Sequence, residues 1–323
     1  MTRTNSTTQQ EVFLLGIGAQ KAITSWLHLQ LHNRADANFG FCKEYHIHDA
    51  LTVPKLVRYR QQQGSWLKPR TWRRQRFFKD TGRYYDYFYN LLSQPHINLT
   101  GDITPSYSCL SANTLMTIKR EFTQRGIPVR PVFLMRDPIE RVISNQRMKL
   151  RKCGQKDPSQ EIEALRSLVN KLPKRVSIRS NYAQTLGALD EAFGHENCFI
   201  SFYETLFTQK TYANLCKFLD INYQEPRWGQ KINVSATDTL IPEDILEQLG
   251  LWQSPIYHAV KINYRMSILN QYGQHLQLGA ETNKCYSPWL HDQDFKAHCL
   301  ASSNCSTVST ERDVPSTAKV EIV

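Results

Sequence analysis

Apolar residues gather along this chain in short runs, each tied to a stretch with helical spacing. Residues 12–17, VFLLGI, form the first run, closed by Gly18. A short unbroken apolar run bounded by a turn residue suits a strand buried on both faces. From Thr24 to His32, Trp26, Leu27 and Leu31 then share one helical face. The order repeats at 129–150. VRPVFLM reads as a strand, Asp137-Pro138 opens a helix with proline in its first turn, and Ile139, Val142 and Ile143 follow at helical spacing. A third unit runs helix first, with Tyr182, Leu186, Leu189 and Phe193 on one face and NCFISFY as the strand after it. A strand near 97–101 and helices near 109–124, 160–170 and 208–219 complete the set. Strands alternating with helices predict an α/β fold, a mainly parallel sheet flanked by helices.

The ends break this pattern. Residues 1–10 are polar and 291–323 are rich in Ser and Thr, so both are expected to be tails around one domain spanning 11–290. No repeat and no Pro/Gly/Ser linker divides that domain. No apolar run approaches the roughly 18–20 residues that span a bilayer. The first ten residues carry no apolar stretch after their charge, which argues against a secretory leader. A cytoplasmic protein is expected. The eight cysteines form no CxxC pair, which fits reduced, mostly buried thiols better than a zinc ribbon, although Cys285, Cys299 and Cys305 lie close enough for a local disulfide.

Charge changes the picture in one place. The chain has 40 Lys and Arg against 29 Asp and Glu, a net charge of +11. Residues 55–83 alone hold ten of those cations and a single acid, Asp80. The rest of the chain is near neutral. Trp66, Trp72, Phe77 and Phe78 are interleaved with the cations. Such a stretch suits an anionic or sugar ligand, a single-stranded nucleic acid, or a solvated basic loop pinned by its aromatics.

Two strand-to-helix loops carry candidate chemistry. GIGAQKAITSWL places Lys21, Thr24 and Ser25 where a strand feeds a helix. Helix N-termini offer free N–H groups and partial positive charge to anions. The segment lacks the Lys-Ser/Thr pair of a Walker A loop, and an ordinary loop with a threonine cap is the plain alternative. In MRDPIERVIS, Arg136 closes a strand, Ser144 stands two turns into the next helix, and Arg141 lies three residues before it. The arginine fork matches phosphate oxygens bidentately.

Together these segments resemble the sulfotransferase superfamily, whose donor is 3′-phosphoadenosine 5′-phosphosulfate (PAPS). The family's KxGTT loop stands here as Lys21-Ala22-Ile23-Thr24-Ser25-Trp26-Leu27. Its R-x-P-x-x-R-x-x-S motif stands complete from Arg136 to Ser144. GDITPSYS at 101–108 is similar to a G-E-x-T/S-P-x-Y element, and RSNYAQTL is similar to an R-G-x-Y region. The likeness spans roughly 11–270 and implies a P-loop NTPase-like sulfotransferase core. It implies that Lys21, Ala22, Ile23, Thr24, Ser25, Trp26, Arg136 and Ser144 hold PAPS, with PAP as product. Ile23 and Ser180 stand where the family has Gly, and Asp102 where Glu is commoner.

Lys43-Glu44-Tyr45-His46 resembles the K-E-P-H segment of glycan-modifying sulfotransferases, with Tyr45 in place of Pro. That resemblance implies Glu44 as base, Lys21 beside the departing phosphate, and His46 sharing either role. No metal is implied. A metal site built from His28, His32, His46 and His48 would need a converging ligand set that nothing in their spacing provides. The expected acceptor is a hydroxyl or amine, on an acidic or neutral glycan, and 55–83 is expected to contact it. Nucleic acid is the less expected partner. Without the membrane anchor of Golgi members, the resemblance points to a bacterial-type enzyme. The alternative is a non-catalytic nucleotide- or nucleic-acid-binding protein on the same fold.

Overall fold

The computed structural model describes residues 10–61, 69–155, 157–172, 177–230, 232 and 239–272. Contacts divide the chain into Met1–Asn263 and Tyr264–Val323; the site lies within the first unit, and only the end of one helix is described in the second. Most of the expected N-terminal tail, the whole of 291–323, Trp66, and Cys285, Cys299 and Cys305 lie outside the described residues.

Four strands form one sheet: β1 (Val12–Gly18), β2 (Leu99–Ile103), β3 (Val129–Met135) and β4 (Phe199–Phe202), in the order β2-β1-β3-β4. Every pairing is parallel. The expected fold class is therefore the observed one. Helices are α1 (Thr24–His32), α2 (His48–Thr52), α3 (Arg58–Gln61), α4 (Pro69–Lys79), α5 (Gly82–Leu92), α6 (Ala112–Thr123), α7 (Pro138–Lys152), α8 (Pro158–Asn170), α9 (Tyr182–Phe193), α10 (Tyr203–Leu206), α11 (Gln209–Phe218) and α12 (Glu243–Tyr272). Helices α2, α3, α4, α5, α10 and α12 go beyond the elements read from periodicity. The expected strand at 97–101 begins two residues later, because Asn98 N donates to the Asp36 carbonyl before the ladder starts.

All seven residues of β1 are buried, as its unbroken apolar run requires. Phe13 packs on Phe122 of α6 and Phe88 of α5, with ring centroids 3.9 and 4.9 Å away. A second apolar cluster joins Ile139, Val142 and Ile143 of α7 to Leu165 and Val169 of α8 and to Ile245 and Leu249 of α12. That cluster fixes the back of α7 and leaves its front free to line the cleft above the strand ends. Ligands in open α/β sheets bind at the carboxyl ends of strands, and β1 and β3 both end there.

Candidate active site

The β1–α1 turn is wound tightly. Gly18 has φ +131° and a Cβ there would stand 2.6 Å from the Pro105 carbonyl oxygen. Lys21 and Ile23 take left-handed φ of 71° and 57°. Ile23 is the residue that enters α1, and it gives the helix no side-chain cap. The threonine-cap alternative therefore does not hold. Thr24 Oγ1 instead accepts from Lys43 Nζ at 3.2 Å, and among the described residues the first N–H groups of α1 have no side-chain cap. Across from this turn, Arg136 Nη1 donates to the Lys21 carbonyl at 3.1 Å. Glu140 accepts from Arg136 Nη2 at 3.2 Å, and the guanidinium carbon lies 4.6 Å from the Tyr203 ring centre. Asp137 caps α7 by accepting from Ile139 N and Glu140 N, which sets Arg136 at the rim.

One cleft of about 880 Å³ collects these groups. Lys21, Ile23, Thr24, Ser25, Trp26, Glu44, His46, Arg136 and Ser144 all line it. Ala22 is fully buried under the loop instead. The front of α7 continues past Ser144 with Arg147, Arg151 and Lys152, one helical face. Burial, with Arg151, Arg136 and Lys152 nearby, lowers Lys21 to about 8. An anion bound among these cations would oppose that shift and be held by them.

The other half of the cleft is a chain of charged groups. Glu44 receives Lys43 Nζ at 2.7 Å and lies 3.2 Å from His46 Nε2. His46 Nδ1 lies 2.7 Å from Asp49 Oδ2, and Ser106 Oγ donates to the same oxygen at 2.5 Å. Asp49 is fully buried. Burial would raise Glu44, but the bonds to His46 and Lys43 win and hold it at about 2. Burial would likewise lower His46, yet Asp49 and Glu44 carry it to about 9. At neutral pH a cationic imidazole thus sits between two carboxylates. Tyr59 stacks on it at 3.9 Å and 9°, and Arg179 donates to the Tyr59 hydroxyl at 2.9 Å.

No family profile matches the chain, and no curated protein matches its sequence. Solved structures do. A sulfotransferase from Alicyclobacillus acidocaldarius superposes with a TM-score of 0.52 at 14% identity, over 78% of this chain and 95% of that one. The fold is a sulfotransferase fold. The sulfotransferase domains of the curacin biosynthetic pathway and of the Synechococcus PCC 7002 olefin synthase align over 78% and 79% of this chain and 96% and 92% of theirs. Their identities are 13% and 15%, and their TM-scores of 0.43 and 0.40 are below the level that identifies a shared fold.

Within this sulfotransferase fold, other residues take places the sequence alone did not assign. Arg141 shares a helical face with Ser144 only loosely. It is 3% exposed, hydrogen-bonds Ser180 and does not line the cleft. Ser180, in the place of a family Gly, therefore has a partner. Tyr182 donates to the Arg136 carbonyl at 2.9 Å. Trp26 is mostly core, stacked against Trp228 with only an edge in the cleft. Asp102 is buried and accepts from Tyr84, Tyr107 and Thr104 hydroxyls at 3.0, 2.7 and 2.6 Å and from Tyr45 N at 3.3 Å. It ties the Glu44 loop to β2.

Asp49, Ser106, Tyr59 and Arg179 were not singled out from the sequence. Asp49 stands three residues past His46, which precedes α2 with a left-handed φ of 54°, and the short His-x-x-Asp spacing is the signal that could have found it. Tyr59 is the one residue of 55–83 that lines the cleft among those described. The four histidines do not converge. His28 and His32 stack near Phe39, while His48 is packed by Tyr84, Tyr85 and Tyr107. No group of three metal-ligating side chains gathers among the described residues, and none of the described helices is long and apolar enough to cross a membrane.

Proposed function

We propose that the protein is a sulfotransferase that moves the sulfuryl group of PAPS to an acceptor hydroxyl, on a carbohydrate. The observation that carries this is the meeting in one cleft of Lys21 from the β1–α1 turn, Arg136 from the β3–α7 turn and the Glu44–His46 pair backed by buried Asp49. The chain's own residues divide the work. Lys21, the open amides of α1, Arg136 and Ser144 would hold the donor's phosphates. Glu44 would accept the acceptor's proton as the new S–O bond forms and the S–O bond to the phosphate breaks, the electron pair leaving with PAP. At about 2, Glu44 is ionised but weakly basic. Such a base serves a late proton transfer, when bonding to sulfur has acidified the acceptor oxygen. Lys21 would neutralise charge on the departing phosphate. His46 and Asp49 orient Glu44. The carbohydrate acceptor rests on the likeness of Lys43–His46 to the glycan-type segment.

A labelled-donor screen against glycans, lipids and small alcohols, paired with thermal shift by PAP, tests this. At about 100 times the dissociation constant, PAP should stabilise the protein by roughly 2.7 kcal/mol, and Lys21→Ala and Arg136→Ala should weaken that effect. Glu44→Ala should lose transfer and keep PAP binding. No PAP shift refutes the donor assignment. PAP binding without transfer to any acceptor favours the non-catalytic alternative.

A further inference from the structure

The basic segment does not spend its charge on the cleft. Helix α4 carries Arg70, Arg73, Arg74, Arg76 and Lys79, and none of them lines the main cleft. A separate groove of about 380 Å³ lies between α4 and α5. Arg73, Arg76 and Phe77 line it from α4 at helical spacing, and Arg83, Asp86, Tyr87 and Asn90 from α5, three cations against one acid. The acids nearby are already engaged. Asp80 accepts from Arg83 at 3.1 Å, and Asp86 accepts from Arg125 at 2.8 Å. Among the described residues, Arg73 and Arg76 lie over aromatic rings, Phe41 at 5.7 Å and Trp72 at 4.7 Å. A guanidinium lying on a ring keeps its N–H edge outward, where it can bond an anion.

We infer that the α4–α5 groove is a second binding site, for an acidic polysaccharide carrying sulfate or carboxylate groups. This rests on the proposed glycan acceptor and extends it beyond the cleft. Charge complementarity gives the sign of the ligand. The aromatic arrangement gives its kind. Non-specific binding of single-stranded nucleic acid uses successive open ring faces as base platforms. Here Phe77 and Phe78 are buried, and Trp72, 57% exposed, has Arg76 4.7 Å from its ring centre on one face. Among the described residues, α4 sets one partly open ring among five cations, which suits isolated anionic groups along a sugar chain better than successive stacked bases. The groove also adjoins the catalytic loop, because the Phe41 ring under Arg73 packs 5.0 Å from Tyr45, next to Glu44.

Labelled dextran sulfate tests the site by anisotropy, with PAP saturating the cleft, at about 0.15 M salt where screening acts beyond about 8 Å. Neutral dextran should not bind. The double variant Arg73→Glu/Arg76→Glu should weaken dextran sulfate by about tenfold or more, a change of about 1.4 kcal/mol. The charge-matched double variant Lys210→Glu/Lys217→Glu, at exposed positions of α11, should stay within about twofold of wild type. Equal losses in the two variants, or no loss in the first, overturn the site. A single-stranded RNA of equal charge that displaces dextran sulfate at lower concentration would replace the polysaccharide with nucleic acid. The PAP thermal shift is read separately in every variant. Its absence throughout would refute the sulfotransferase assignment without deciding the groove, which the dextran sulfate comparison settles.

Discussion

Replacing Asp49 by Asn removes one of two anions that hold His46 charged. His46 titrates near 9 instead of 6.5. Burial opposes that rise, so the carboxylates supply more than the net gain. At about 1.4 kcal/mol per unit, the net is roughly 3 kcal/mol. The sign follows from the direction. A histidine raised on folding adds stability in full below 6.5, and the gain is lost as pH climbs through about 9. Asp49 makes the shorter contact, 2.7 Å against 3.2 Å for Glu44, so over half of the effect, about 2 kcal/mol, should go with it. Asn can still accept from Ala50 N, which bonds Asp49 Oδ1 at 2.9 Å, so the turn should persist. Tyr59 and Ser106 also touch the ring, and neither carries a charge at neutral pH. Urea unfolding at pH 6 and pH 9.5 measures the slope, and NMR titration of the His46 ring measures its pKa directly. Wild type should lose stability across that window, and the variant should lose about 2 kcal/mol less. Equal slopes, or an unmoved His46 titration, would refute the relay.

Three further outcomes follow from the same geometry. Lys21, at about 8 in the free protein, should gain a proton when an anion binds, so PAP affinity should fall as pH rises above 8. Calorimetry in buffers of different ionisation enthalpy would show the uptake, and a flat profile would count against Lys21 facing the phosphates. Ile23→Gly should relieve a left-handed β-branched residue, whose cost is of order 1–2 kcal/mol, while adding chain entropy of about 1 kcal/mol to the unfolded state. Stability should therefore change little, and PAP should bind more tightly once the cleft-lining side chain is gone, as a titration would record. Asp102→Ala should cost at least about 2 kcal/mol, because buried tyrosine and threonine hydroxyls lose their acceptor, seen as a lower denaturation midpoint.

The half of the cleft proposed for the donor was legible because its residues are contiguous. A strand, a tight turn and a helix start carry Lys21 to Trp26 together, and Arg136 to Ser144 span two turns of a single helix entry. Local periodicity fixes such segments to within a residue or two. The half proposed for the acceptor was less legible: Lys43–His46 could be read by its likeness, but the residues that join it come from segments with no local signature. Tyr59 and Arg179 are 120 residues apart and meet only when the sheet brings α3 beside the turn preceding α9. Arg141 shows the limit of helical spacing. Three residues place it only loosely beside Ser144, and packing turned it inward to Ser180. The charge of 55–83 was plain from composition, but composition could not say that Tyr59 joins the cleft while the α4 arginines line a groove of their own.

Two departures from the family pattern explain each other. Where the family's segment has proline, Tyr45 keeps a backbone N–H, and proline has none to give. That N–H donates to Thr104 Oγ1 at 3.0 Å and lies 3.3 Å from Asp102 Oδ1. Asp102 is the residue found where Glu is commoner. A shorter acid leaves its carboxylate close to β2, where the Tyr45 amide and the Tyr84 and Tyr107 hydroxyls reach it. Burial raises Asp102 to about 6 despite those donors, so losing any one donor would push it further toward the neutral form. Proline at 45 would remove a donor and also the ring that fills the space between Phe41, Phe77 and Phe88. The loop carrying Glu44 is therefore held here by a hydrogen-bonded anchor rather than by proline's rigid backbone.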